Sequence, residues 1–374
     1  MTSSPTSARL LSLDIFRGIT VAAMVLVNNP GDWGHIYWPF AHAEWNGCTP
    51  ADLIFPFFLF IVGVAIVLAL HKAKETKQEN IYLKVIKRGA ILIALGLFLN
   101  LFPFFDFGHV RIPGILQRIG IVYICCALLF LKTTRRFQFW MFWAILVAYY
   151  LLINFVPVPD FGTANLGKET NLAAWLDRLL LTTNHTWKLS VTWDPEGILS
   201  TLPAIASGIF GLVMGYIVKS YDKPNSNVAL RMIYHGIIAT GLGICFHYFF
   251  PINKSLWTSS YVLFTGGLAT LFFAGIYWLV DVRKNKTFLN IFVVFGTNAI
   301  TVFFGSAIIA KLCNIEWIMQ DGVNLGIKNW LFQTFYVPYI HNPYLASLAG
   351  ALTFVIIWYF ILRLMHNKNI IIKI

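Results

Sequence analysis

The sequence predicts an all-α fold, a polytopic helical bundle in a lipid bilayer with about ten transmembrane helices. Three observations predict it. Of 374 residues, 58% are hydrophobic and only 12% charged, whereas a soluble domain carries about a quarter charged residues. Apolar runs long enough to cross a bilayer, about 20 residues each, recur from end to end. The basic residues also separate onto alternate loops.

The apolar runs lie near 10–28, 53–71, 86–105, 115–131, 138–156, 199–218, 232–250, 261–280, 288–311 and 345–363. With the N-terminus in the cytoplasm, 19 of the 28 Lys and Arg fall on cytoplasmic segments, Arg9, Lys286 and Lys373 among them. The positive-inside rule then sets both termini inside. It also explains most of the net charge of +12 without a nucleic-acid partner. No cleavable signal peptide is expected from "MTSSPTSAR", because Asp14 and Arg17 interrupt the first apolar stretch. No internal repeat or linker divides the chain, so residues 1–374 are expected to form a single membrane domain.

The first run, "LLSLDIFRGITVAAMVLVNN", contains ionisable groups, which are costly in a bilayer and mark functional candidates. Asp14 and Arg17 are three apart and can pair on one face. Asn28, three turns beyond Arg17, continues that stripe and equally suits a helix-end cap. The outer loop 29–52 follows, with His42, Glu44, Trp45, Asn46, Thr49 and Asp52 packed before the uncharged second run. His42 is the natural general base among side chains neutral at pH 7.

The third run opens with Lys84, Lys87 and Arg88 on the cytoplasmic side. Before the fourth, "HVRIPGILQRIG" sets Gln117 and Arg118 in the first turns of a helix. Arg118 has no acidic neighbour in sequence. Its partner must be another segment, such as Asp52 or Asp106, or a ligand phosphate or carboxylate.

Between the fifth and sixth runs, "NLAAWLDRLLL" spaces Leu172, Trp175, Leu176, Leu179 and Leu180 for a short interfacial helix. "WDPEGILS" then places Asp194 and Glu196 where acidic residues cap a helix start. Asn298 sits within the ninth run, and His341 and Asn342 just before the tenth. The outer loops 29–52, 157–198 and 312–344 hold 10 of the 16 acidic residues, Asp321 included. There is no CxxC and no Cys/His spacing for a metal. Cys48 and Cys313 share the outer side and could pair in an oxidising compartment.

"SLDIFRGITVAAMVLVNN", "FAHAEWNGCTPADLIFPFFLFIVG", "RIPGILQRIGIVY" and "DPEGILSTLPAIASGIFG" together resemble the bacterial branch of the heparan-alpha-glucosaminide N-acetyltransferase family. The resemblance runs in order along essentially the whole chain. It implies a multipass acyltransferase in the bacterial inner membrane, carrying acetyl groups from cytoplasmic acetyl-CoA to an amino sugar outside. The family's catalytic His falls on His42 and its Asp ten residues later on Asp52. Its Asn near the end of the first span falls on Asn28 or Asn29. The animal enzymes' large lumenal segment and first membrane helix are not expected here, nor their lysosomal context. The "RG" opening of the first span also resembles a wider superfamily of sugar-modifying membrane acyltransferases. Those place a His where this chain has Asn28, which leaves His42 as the available base.

On that resemblance, an amino-sugar amine must lose a proton before it attacks a thioester. His42 would take it, or would itself carry the acetyl group in a ping-pong scheme. Asp52 would orient the imidazole, and Asn28 or Asn46 would donate to the oxyanion. Lys84, Lys87 and Arg88 would hold the CoA phosphates, with Arg17, Gln117 and Arg118 as further donor-site candidates. Glu44, Trp45, Asn46 and His341 would face the sugar. No metal is implied, and a homodimer is compatible. The rival reading is an amino-sugar or N-acetyl-sugar transporter, which shares the aromatic outer loops but needs no His beside an Asp.

Overall fold

Amphipathic and wholly apolar runs fold here as helices that cover nearly all of the regular structure. The computed structural model describes residues 10–221, 223–285, 287, 289–320 and 323–372. Arg9, Lys286, Lys373 and Asp321, used in the charge argument above, lie outside the described residues. The helices are α1 (Leu11–Val27), α2 (Ile54–Glu75), α3 (Ile81–Leu101), α4 (Ile115–Lys132) and α5 (Arg135–Phe155). There follow α6 (Leu172–Leu181), α7 (Thr201–Lys219), α8 (Ser226–His247), α9 (Ser259–Tyr277), α10 (Asn290–Thr297) and α11 (Ala299–Cys313). A small antiparallel hairpin, β1 (Glu316–Gln320) and β2 (Val323–Gly326), leads to α12 (Ile327–Phe335) and α13 (Pro343–Asn367).

Nine of the ten apolar runs each fall on one helix, and the run 288–311 is divided between α10 and α11. Among the described residues, α2, α4, α5, α7, α8, α9 and α13 are long and apolar enough to cross a membrane. The bent pair α10 and α11 makes an eighth if taken as one span. By that measure α1 is short at 17 residues, and α3 carries Lys84, Lys87 and Arg88 in its first turns. The short interfacial helix expected over 172–181 is α6, started by the Asn171 side chain accepting from the Ala174 N–H.

Two expectations are corrected. The sequence predicts one helix over 288–311, whereas α10 and α11 meet at an angle of 75°. Asn298 causes the break by leaving helical geometry (φ −119°, ψ 36°). Its buried amide donates to the Ile370 carbonyl at 3.1 Å and accepts from the Ile372 N–H at 3.1 Å. It therefore holds the C-terminal segment onto the break. The outer segment 312–344, read as a loop, contains the hairpin and α12. Its Asp-Gly dipeptide between two short runs is a hairpin signal.

Helices α2 and α7 pack closely against each other. Gly63 and Gly211 bring the two backbones together, and a Cβ on Gly211 would run into the Phe60 carbonyl. Small residues permit such an approach between membrane helices. The main core draws on α1 to α5 and α7 to α9.

Loops gather at two ends. At one, Trp45 donates to the Leu166 carbonyl (2.9 Å), Asn253 to Asn46 (3.2 Å) and the Ile112 N–H to the His185 carbonyl (3.0 Å). At the other, Lys74 donates to the Thr133 carbonyl (2.8 Å), the Ser12 N–H to Asp281 (3.2 Å) and the Asn225 N–H to the Tyr277 hydroxyl (3.1 Å). This division matches the alternation of basic and acidic loops in the sequence.

Candidate active site

The loop between α1 and α2 is shaped by one carboxylate. Thr49 and Asp52 form a capping box on the 3-10 turn Pro50–Leu53 that opens α2, with Pro50 in the first position. Asp52 Oδ2 accepts from the backbone N–H groups of Ala43 (3.0 Å) and Thr49 (3.1 Å), and the Thr49 hydroxyl lies 3.1 Å away. Thr49 Oγ1 is also 2.7 Å from the Ala41 carbonyl. The Asp52 carbonyl accepts from the Tyr261 hydroxyl of α9 at 2.6 Å. These bonds fix the carboxylate and fold the preceding loop around it.

Asp52 Oδ1 faces His42 Nδ1 at 2.8 Å. The His42 side chain is 47% exposed and that of Asp52 only 1%. A buried carboxylate thus holds an imidazole that is open to solvent. With Nδ1–H donated to Asp52, Nε2 presents its lone pair outward. Two other His–Asp pairs show why this one stands apart. His35–Asp32 (2.6 Å) and His109–Asp106 (2.9 Å) are also at hydrogen-bond distance, but their carboxylates are 39% and 56% exposed. A solvated carboxylate orients an imidazole weakly. Cys48, beside Asp52, is not a nucleophile: burial, with the Asp52 charge, pushes its thiol up to about 12.

A third charged group completes the cluster. Lys254, from the turn between α8 and α9, places Nζ 3.2 Å from Asp52 Oδ1 and 3.1 Å from His42 Nδ1. In sequence Lys254 is one outer basic residue among several. The only local signal is a cation in the short segment "PINKSLW".

The other sequence candidates fall in several places. Trp45 stacks edge-on against Trp193 with centroids 5.2 Å apart, so loop packing accounts for much of its surface. Asn46 accepts from Asn253, which leaves its own NH2 as the donating end. Asn28 is the C-cap residue of α1 and exposed, while Asn29 is buried and donates to the Val25 carbonyl at 2.9 Å. Glu44 and His341 are exposed. Among the described residues, no hydrogen bond or ion pair joins Asn28, Glu44 or His341 to His42 or Asp52.

Arg17 pairs with Asp14 at 3.1 Å, as the spacing predicts, and reaches toward the Gly296 carbonyl. Lys84, Lys87 and Arg88 lie exposed at the opposite end of the bundle, with Arg88 over the Tyr123 ring at 5.1 Å. The structure does not bring them to His42. Gln117 is buried and donates to the Ile112 carbonyl at 3.1 Å, bracing the entry to α4.

Arg118 finds its partners on another segment. Its hydrogen-bond partners are neither Asp52 nor Asp106 but the Gly197 carbonyl (3.0 Å) and the Ser200 hydroxyl (2.5 Å). The guanidinium lies over the Trp257 ring at 5.2 Å. The expected capping role of Asp194 and Glu196 is corrected. Both carboxylates bind Arg111, Asp194 at 2.6 Å and 2.8 Å. Helix α7 starts only at Thr201. Burial pushes the Asp194 carboxyl up despite Arg111. Burial acts the same way on Glu196, but the charges of Arg111, Arg118 and Lys254 outweigh it and hold that carboxyl down. Behind them Asp177 accepts from the Ile198 N–H (2.9 Å) and the Asp194 N–H (3.3 Å), and burial pushes it up to about 6. Among the described residues, no group of three or more His, Cys, Asp or Glu is placed to hold a metal ion.

Residues 9–176 match the family described as heparan-alpha-glucosaminide N-acetyltransferase, catalytic. That stretch includes His42 and Asp52. The heparan-alpha-glucosaminide N-acetyltransferase of Homo sapiens is 31% identical over 368 residues, covering 84% of this chain and 55% of that protein. The chain belongs with the heparan-alpha-glucosaminide N-acetyltransferase-like proteins. The Mus musculus protein of the same description is 30% identical with the same coverage. The chain spans about half the length of these curated relatives. Lys254 lies beyond the stretch that the family description matches, on an element that only the fold brings to His42.

Proposed function

We propose that the protein is a transmembrane acyltransferase that passes an acetyl group from cytoplasmic acetyl-CoA to the amine of an amino sugar at the outer face. The observation that carries this reading is the exposed imidazole of His42 held by buried Asp52, inside the stretch shared with the N-acetyltransferase family. The acceptor enters as the free amine, its ammonium having released a proton to solvent; His42 Nε2 takes one further proton as the nitrogen attacks the thioester carbonyl and the carbon–sulfur bond breaks. The proton then passes from Nε2 to the departing thiolate. Acid–base help of this kind is typically worth on the order of 10²–10⁴-fold. Asn46, with its NH2 as the donating end, is the nearer oxyanion donor in sequence, and Asn28 the alternative that the family pattern suggests.

The same reading takes residues 1–374 as one unit of a bacterial inner membrane, alone or as a homodimer. It assigns CoA phosphates to Lys84, Lys87 and Arg88, and keeps Arg17, Gln117 and Arg118 as further donor-site candidates. It gives the sugar to Glu44, Trp45 and His341. The test is purified protein in proteoliposomes with radiolabelled acetyl-CoA and glucosamine. Label on the sugar amine, lost in His42→Ala, supports the reading. If label never reaches the sugar and His42→Ala alters only sugar uptake, the protein is a transporter and the enzyme reading fails.

A further inference from the structure

We infer that Lys254 is a positioning residue of the His42–Asp52 pair, supplying the positive charge that balances buried Asp52 so that His42 need not be the cation. The inference rests on the acyl-transfer reading and deepens it.

The two oxygens of Asp52 are used differently. Oδ2 is taken by the loop, through Ala43 N–H, Thr49 N–H and the Thr49 hydroxyl. Oδ1 is shared by His42 Nδ1 at 2.8 Å and Lys254 Nζ at 3.2 Å. A carboxylate that is 1% exposed cannot rely on water for its charge. Leaving such a group without a counter-ion is strongly unfavourable. With Lys254 removed, the only cation the site could form at Oδ1 is a protonated His42. An imidazolium has no lone pair at Nε2 and cannot act as a base. The charged groups facing His42 are therefore Asp52 from the turn before α2 and Lys254 from the α8–α9 turn. Cys48 stands behind Asp52 with its thiol held protonated, and Glu196 feels the Lys254 charge from the α7 side.

The turn that carries Lys254 is itself braced. The Lys254 carbonyl accepts from the Trp257 N–H at 3.0 Å, and the Asn253 side chain accepts from the Leu256 N–H at 2.8 Å. The Asn253 N–H donates to Thr258 Oγ1 (3.1 Å), and Trp257 Nε1 donates to Ser207 of α7 (3.0 Å). The Ile252 carbonyl accepts from Gly47 N–H of the His42 loop at 2.8 Å. These bonds brace the seven residues 252–258 that bring the Lys254 ammonium to Asp52 Oδ1. A lysine serving only solubility would need none of them.

The experiment compares Lys254→Met, Lys254→Arg, Asp52→Asn and the double variant Asp52→Asn/Lys254→Met in the full chain, with acetyl-CoA and glucosamine. Lys254→Met should lower kcat by roughly 10²-fold while leaving both KM values within about threefold, since a base is lost and not a binding contact. Its rate profile should lose the acid limb at higher pH than the wild type. Lys254→Arg should restore most of kcat by keeping the charge. The double variant should be no slower than Asp52→Asn alone, because Lys254 acts through that carboxylate. Wild-type kcat in Lys254→Met, a rise in KM alone, or an Arg variant no better than Met would each overturn the inference. If the wild type transfers no acetyl group, the acyl-transfer reading is what fails. Lys254 is then read from the 15N shifts of the His42 imidazole, assigned by their loss in His42→Ala. A change in those shifts in Lys254→Met upholds the charge-balancing role, and unchanged shifts overturn it.

Discussion

Asp177 shows at single-residue scale how the outer end stores charge. Arg111 binds both Asp194 and Glu196 in a buried knot, and Asp177 sits behind it with its carboxyl raised to about 6 by burial. A carboxyl raised on folding stabilises the folded state most below its unfolded value. That contribution is lost as pH climbs through about 6. On a shift of this size the loss is on the order of 3 kcal/mol. Thermal unfolding in detergent between pH 4 and 8 should therefore show stability declining up to about pH 6 and then levelling, with a shallower decline in Asp177→Asn. An identical slope in both proteins would show that other groups set it. The same scale explains what the sequence could disclose. His42 and Asp52 are legible because they lie ten residues apart in one short loop. Lys254 is 212 residues from His42, and nothing local marks it. The partners of Arg118 are a backbone carbonyl and a serine, which residue types cannot advertise.

Among elements, the contact between α2 and α7 matters most to the site, because α2 begins at the turn that carries Asp52. Gly211 allows the two helices to touch, and its missing Cβ would strike the Phe60 carbonyl. Overpacking of this kind typically costs about 1–3 kcal/mol. Gly211→Leu should lower the thermal midpoint in detergent and reduce transfer at temperatures where the protein stays folded. Unchanged stability would mean that the helices separate without strain. Helix placement was legible because apolar runs near 20 residues admit few other structures in lipid. The break at Asn298 was not, since an asparagine in an apolar run reads as one polar residue until the C-terminal segment bonds to it. The hairpin β1–β2 escaped because its strands are short, and only the Asp-Gly dipeptide marked it.

At the scale of the whole molecule, the loops divide into two ends, and the contacts within each end are independent of the charge count that first separated them. Trp45 meets Leu166 and Asn46 meets Asn253 at the acidic end, while Lys74 meets Thr133 at the basic end. Contacts fix which loops share a side, and the proposed topology puts the side rich in Lys and Arg in the cytoplasm. On the proposed function His42 opens outward, away from the acetyl-CoA pool, and the acetyl group has to cross the bundle to reach it. A helix of 21 residues such as α3 is about 30 Å long, so Lys84 and His42 lie near opposite faces. Single cysteines at Lys84 and Lys188 in a cysteine-free background test this directly. A membrane-impermeant maleimide should label the Lys188→Cys protein in right-side-out vesicles and the Lys84→Cys protein only in inverted ones. The reverse pattern would put His42 on the cytoplasmic side. Acetyl-CoA could then meet the acceptor without crossing the membrane, and the transmembrane element of the proposal would fall while the chemistry at His42 stood.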